Sequence, residues 1–104
     1  MFILVLGGTA SSETTIYDEE VEGRAIELKE VVLYCKGGTL KVKRGDGDWI
    51  PTKGGSAEVP VRLDLTKLKR EDRIIGVGEK LRIVVTPSNG TCEYTVAITG
   101  DYVG

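Results

Sequence analysis

The side chains that carry most acid–base, nucleophilic and metal chemistry are scarce in this chain. Its 104 residues include no histidine and only two cysteines, Cys35 and Cys92. Histidine is the side chain that ordinarily titrates near neutral pH, and neither cysteine has an identifiable activating partner. A structural zinc site takes about four ligands, which two cysteines without histidine do not supply. We therefore expect a protein that is not an enzyme and that holds no metal and no cofactor.

The two cysteines leave two alternatives open. A disulfide between Cys35 and Cys92 would close a long loop, as in extracellular proteins or in the intracellular proteins of hyperthermophiles. The simpler alternative is two buried free thiols, since free cysteine is among the most buried residue types. Glutamine is absent and asparagine occurs once, at Asn89, while charged residues make up 29% of the chain. This composition is typical of thermophilic proteins.

Two glycine-containing segments look like ligand-binding motifs. Residues 4–10 resemble the first strand and glycine turn of nucleotide-binding α/β proteins, but no amphipathic helix follows them. Residues 44–48 contain an Arg-Gly-Asp triplet and two nearby carboxylates. A calcium loop needs further oxygen ligands and a distal glutamate, so a hairpin turn explains this segment better. Neither segment predicts a ligand.

The aromatic residues offer another kind of contact. Trp49 could stack against a sugar ring or anchor a protein interface, and four tyrosines accompany it in the chain. Tyr94 is in phase with Val96 and Ile98, which predicts that it faces the core. A position in the core or at its edge is the simpler interpretation of Trp49 too, and ligand stacking by Trp49 is the alternative.

Alternating hydrophobicity predicts short β-strands along most of the chain. Residues 58–65, 80–85 and 92–99 each place an apolar side chain at every second position, as half-buried strands do. The loop at 87–91 has the composition of a hairpin turn, and residues 39–50 form a second predicted hairpin. Elements of this kind must position whatever functional side chains the protein has.

Other segments complete this prediction. Both faces of residues 31–34 are apolar, which indicates a bulge near Glu30 or a fully covered central strand. Residues 66–72 are long enough for a single helical turn, and residues 74–75 form a short strand candidate. About seven or eight short strands with little helical periodicity predict one all-β domain over residues 1–104. We expect an antiparallel β-sandwich of jelly-roll or immunoglobulin-like topology.

Charge and hydropathy exclude several classes of partner. The formal net charge is −2, from 14 basic and 16 acidic residues, so no basic face for nucleic acid is expected. The apolar residues 1–6 lack a basic region before them and are too few for a signal peptide, so they predict a strand. No stretch approaches the length of a membrane helix. A cytoplasmic location follows from this prediction.

The segment from residue 7 to residue 22 lacks clear alternation and is rich in serine, threonine and acidic residues. We interpret residues 7–22 as an extended arm or long loop that reaches a neighbouring subunit. The candidate interface residues on this arm are Thr9, Ser11, Ser12, Thr14, Ile16 and Tyr17.

Over residues 31–102, the chain resembles the small all-β accessory proteins of tailed phages and related virions, especially those from hot environments. The resemblance lies in the stretches Gly-Gly-Thr-Leu-Lys-Val, Asp-Trp-Ile-Pro and Val-Arg-Leu-Asp-Leu, together with the short apolar strand at the start of the chain. The resemblance implies a virion location, as a decoration or cement protein that binds a capsid lattice as a homo-oligomer, with protein partners only. The alternative function is a carbohydrate- or peptide-binding sandwich that uses Trp49 and adjacent loops.

Overall fold

A computed structural model describes residues 1–45, 47–48 and 61–103 of the chain. Within these residues, antiparallel β-strands form two sheets. In chain order the strands are β1 (Phe2–Ala10), β2 (Thr14–Glu20), β3 (Ala25–Lys36), β4 (Gly38–Arg44), β5 (Gly47–Asp48), β6 (Val61–Asp64), β7 (Ile74–Ile75), β8 (Lys80–Pro87) and β9 (Cys92–Val103). The protein is therefore an all-β antiparallel sandwich, as the alternation predicts.

The strand order identifies the topology of the sandwich. The first sheet has the order β1-β9-β3-β6, with the two-residue β7 also paired to β3, and the second has the order β2-β8-β4-β5. Consecutive strands thus lie in different sheets at each step from β1 to β4, between β5 and β6, and at each step from β7 to β9. Two sheets with these strand orders and crossings form a jelly roll, whereas an immunoglobulin domain keeps its first two strands in one sheet. The structure decides between the two topologies that the sequence left open.

The core lies between the two sheets and is formed by the inward-facing residues of the long strands. Alternation places every second side chain of a strand on the same face, so each long strand contributes several residues to the core. The largest fully buried side chains are Leu28, Leu33, Leu40, Leu65, Ile75, Leu81, Ile83 and Ile98. Tyr94 packs against the edge of this core, in agreement with its predicted phase.

The two longest strands, β3 and β9, pair along their whole length. Their register shifts between Leu28 and Glu30, which confirms the predicted bulge near Glu30. Gly100 lies opposite Leu28 at this irregularity, and a Cβ atom on it would overlap the carbonyl oxygen of Glu27. The close approach of the two backbones therefore requires glycine at position 100.

The predicted arm is wrong, because residues 7–22 belong mostly to two strands of the sandwich. The end of β1 pairs with β9 through Ala10, and β2 pairs with β8 from residue 14 to residue 20. Polar residues dominate β2 because it is an edge strand, with one face toward solvent. A register shift between Thr15 and Tyr17 also interrupts its alternation, which concealed the strand in the sequence.

The predicted hairpin across residues 87–91 is also wrong. Its two strands lie in opposite sheets, because β8 pairs with β2 and β4 while β9 pairs with β1 and β3. Turn composition marks a reversal of the chain, but it does not distinguish a hairpin from an arch between sheets. The predicted apolar faces of β8 and β9 are confirmed, and they face each other across the core.

Several smaller expectations are confirmed. Strand β4 forms a hairpin with β5, residues 74–75 form β7, and single 3-10 turns occupy Leu65–Lys67 and Arg70–Asp72. The part of the predicted 58–65 strand that the structure describes begins at Val61. Among the described residues, no helix has the length and apolar character to cross a membrane.

We expect Gly100→Ala to lower the free energy of unfolding by about 1–3 kcal/mol, the range for overpacking a filled site. Gly7→Ala is the matched control in the neighbouring strand, since a Cβ there would meet nothing closer than 3.6 Å. The control should change the free energy of unfolding by no more than about 0.5 kcal/mol. Urea denaturation measures both variants, and equal stabilities would contradict the proposed close approach.

Candidate protein-binding face

The six residues of the predicted interface lie at the end of β1, in the link that follows it and on β2. Thr9 is exposed on β1, and residues 11–12 are exposed in the link that crosses to the second sheet. The Thr14 hydroxyl donates a hydrogen bond to the Ser12 carbonyl oxygen at 2.8 Å, which orders this link. Ile16 and Tyr17 are half-buried and pack against the core. Four of the six residues are therefore exposed to solvent, and their role in an interface stays a prediction.

Cys35 and Cys92 are free thiols buried in the core of the described structure. They belong to adjacent strands, and the two side chains are joined by a hydrogen bond. Burial, with a smaller effect of Cys92, raises the pKa of Cys35 to about 11. A thiol with such a pKa is a poor nucleophile near neutral pH. Because the two side chains are neighbours, the disulfide stays a prediction.

A cavity of about 150 Å³ opens between the sheets at one end of the sandwich. The rings of Phe2 and Tyr102 meet edge to face there, with their centroids 6.1 Å apart. Burial raises the pKa of Tyr17, and the nearby Glu19 and Tyr102 contribute to the increase. Glu19 also lines this cavity and is exposed to solvent, and charged side chains are one means by which an edge strand resists pairing with other chains.

The outer face of the first sheet carries an apolar surface that crosses several strands. Val5, Ala97 and Val32 lie side by side in register, on β1, β9 and β3. Tyr34 and Thr95 form the next row, and with Val32 and Ala97 they line a shallow, largely apolar depression of about 300 Å³. We define the outer apolar patch as Ile3, Val5, Val32, Tyr34, Thr95 and Ala97.

The most exposed part of the outer apolar patch lies on β1. Ile3 is 61% exposed and Val5 is 65% exposed, although both are large aliphatic residues in a regular strand. An isolated exposed apolar residue is ordinary, but a contiguous apolar patch marks an interaction surface. The patch is therefore the feature of the described residues that best fits a binding surface.

Ion pairs border the outer apolar patch. Arg62 donates a hydrogen bond from Nε to the Glu30 carboxylate at 2.9 Å, beside the row that contains Val32. Lys29 and Asp101 form a second pair at 2.7 Å, which raises the pKa of Lys29 and lowers that of Asp101. An apolar centre with a charged, solvated rim is the usual anatomy of a protein–protein interface.

The remaining predicted site lies outside the part of the chain that the structure describes. Trp49 is not among those residues, so its role in ligand stacking stays a prediction, as does its placement at the core edge. Within the described residues, no group of three or more histidine, cysteine, aspartate or glutamate side chains is arranged to hold a metal ion.

Comparison with known proteins does not place this chain in a family. No protein-family model matches the chain, and no curated protein or solved structure is significantly similar to it. The chain is therefore classified by its fold alone, as a jelly-roll β-sandwich.

The outer apolar patch was missed in the sequence, although a signal for it existed. Residues 2–6 and 31–34 are apolar at consecutive positions, so one of their two faces had to point away from the core. Such runs are typical of strands that are covered on both sides. The sequence did not show that these two runs belong to the same sheet, where each run exposes one of its faces on the outer side.

The raised pKa of Cys35 predicts a loss of stability in alkaline solution. The unfolded thiol ionises near its ordinary pKa of 9.0, whereas the folded thiol ionises at about 11. The unfolded chain therefore binds fewer protons between these values, and the free energy of unfolding falls as pH rises through this window. We expect this thiol to account for a loss on the order of 2 kcal/mol.

The measurement is urea denaturation at several pH values from 8 to 11.5, with the wild type and Cys35→Ala compared. The variant should lose less stability than the wild type over this range, whatever its stability at pH 8. Parallel curves for the two proteins would contradict the buried, neutral thiol.

Proposed function

We propose that this chain is a non-enzymatic structural protein that packs against other protein subunits through the outer apolar patch. In its most specific form, the proposal is a decoration or minor structural protein of a virion. The single observation that carries it is the exposed apolar row of Val5, Ala97 and Val32, bordered by charged residues. Burial of this row against a partner would remove apolar area from water at about 25 cal/mol per Å².

The fold is compatible with this role, but it does not decide it. Jelly rolls are used both in viral capsids and in lectins, so the topology alone fits either of the two candidate functions. The location of the apolar surface favours assembly, because it lies on a flat sheet face and not in a cleft between loops. No observation on the described residues favours the carbohydrate- or peptide-binding alternative, which rests on Trp49.

The proposal is tested by sedimentation of an extract from the source that encodes the chain. We expect the chain to sediment with large particles. Purified wild-type chain should also bind again to particles from which the endogenous chain has been stripped. Ala97→Lys places a charge in the centre of the outer apolar patch, where an approaching subunit would desolvate it, so this variant should fail to bind.

Val77→Lys is the matched control, because Val77 is 58% exposed and lies in the turn between β7 and β8, away from the patch. It should bind as the wild type does. A chain that stays at the top of the gradient as free protein would overturn the proposed function, and equal binding by Ala97→Lys would remove the patch from it. Circular dichroism and thermal melting confirm that both variants fold.

A further inference from the structure

We infer that the free edge of β1 pairs antiparallel with β1 of a second copy of this chain, so that two five-stranded sheets join into one continuous sheet. This inference goes beyond the proposed function and does not depend on it. It concerns a strand edge, whereas the proposed function concerns a sheet face, so the two are open to separate tests.

The edges of the two sheets differ in charge. Strand β2, at the edge of the second sheet, ends in three acidic residues and carries a bulge. Strand β6 carries Arg62 and Asp64 in four residues, and β5 and β7 are only two residues long. Charges, bulges and short length are the devices that prevent sheet edges from pairing. These edges are therefore protected against association.

Strand β1 has none of these devices. It has nine residues, contains no charged residue and no proline, and pairs with β9 over its whole length without a register shift. Among the described residues, only β9 pairs with it, so its other edge is open. A long, regular and uncharged edge strand is a template for another strand. Its composition is that of a central strand, although its position in the sheet is at the edge.

The sequence of β1 is complementary to itself when two copies run antiparallel. Its first half holds the large residues 2–6, and its second half holds the small residues 7–10. Antiparallel pairing around Val5 sets Ile3 beside Gly7 of the second copy and Leu4 beside Leu6. Large side chains then meet glycines at the ends and aliphatic side chains meet at the centre. With no charge in the strand, no like charges oppose each other.

The area of this contact predicts a weak dimer. Pairing around Val5 joins residues 2–8 of the two copies, which span about 23 Å, and a sheet edge about 10 Å thick would bury on the order of 200 Å² per copy. A standard interface buries about 800 Å² per partner, so pairing through β1 belongs to the weak class, with dissociation on the order of micromolar or above. Contacts of this strength become effective when many of them act together in an assembly.

The test uses the purified full chain in sedimentation velocity over a range of concentrations up to about 1 mM. We expect the wild type to form dimers reversibly. Val5→Lys and Val5→Glu should each weaken the dimer by at least about tenfold, because two like charges would face each other near the two-fold axis. An equimolar mixture of the two variants should form dimers again, since the charges are then opposite.

Two control variants keep this test specific. Val77→Lys adds the same charge at an exposed valine outside β1 and should leave the dimer unchanged. Ala97→Lys should also keep the dimer, because two copies of residue 97 would lie about 14 Å apart across the joined strands, beyond the screening length of about 8 Å. In the wild type, backbone amides of β1 should exchange with solvent more slowly at high protein concentration than at low concentration.

Any of three results would overturn self-pairing through β1. The wild type could stay monomeric at 1 mM, or Val5→Lys could form dimers as stable as those of the wild type. The third such result is a mixture of Val5→Lys and Val5→Glu that stays monomeric. If the purified chain is monomeric but binds stripped particles, the inference fails and the proposed function stands. If it forms dimers through β1 but is absent from particles, the proposed function fails and self-pairing stands.

Discussion

The pairing of β3 with β9 is the interaction on which the rest of this sandwich depends. These two twelve-residue strands run side by side from Ala25 opposite Val103 to Lys36 opposite Glu93, and they form the centre of the first sheet. Strand β1 attaches to one side of the pair, while β6 and β7 attach to the other. The two backbones remain together past the bulge because residue 100 has no side chain. Their inward faces supply the buried row against which the second sheet packs.

The same pairing produces the outer apolar patch. A strand presents alternate residues to opposite faces, so strands that are apolar at consecutive positions bury one set and expose the other. Residues 31–34 of β3 and residues 2–6 of β1 are of this kind, and β9 between them contributes Ala97 to the exposed face. The patch therefore exists because two doubly apolar segments, distant in sequence, border the same strand. Neither segment alone would form a contiguous surface.

The two sheets differ in the charge of the edge strands that they expose to solvent and to other chains. The edge of the second sheet at β2 carries exposed acidic residues, of which Glu19 also lines the cavity at one end of the sandwich. The edge of the first sheet at β1 is uncharged, and the face beside it is apolar. A protein that functions as a monomer would be expected to have both of these edges protected against pairing. This asymmetry is the physical basis for proposing that the first sheet, and not the second, contacts other subunits.

The sequence by itself determined the fold class, most of the long strands, the bulge near Glu30 and the inward phase of residues such as Ile83 and Val96, because alternation records which side of a strand is buried. Only the tertiary structure decided which strands are neighbours. Turn composition at residues 87–91 fits a hairpin and an arch equally well, and polar residues 14–20 fit an edge strand and a loop equally well. The outer apolar patch and the open edge of β1 depend on those neighbours, since a surface made by several strands is set by long-range pairing and not by any local pattern.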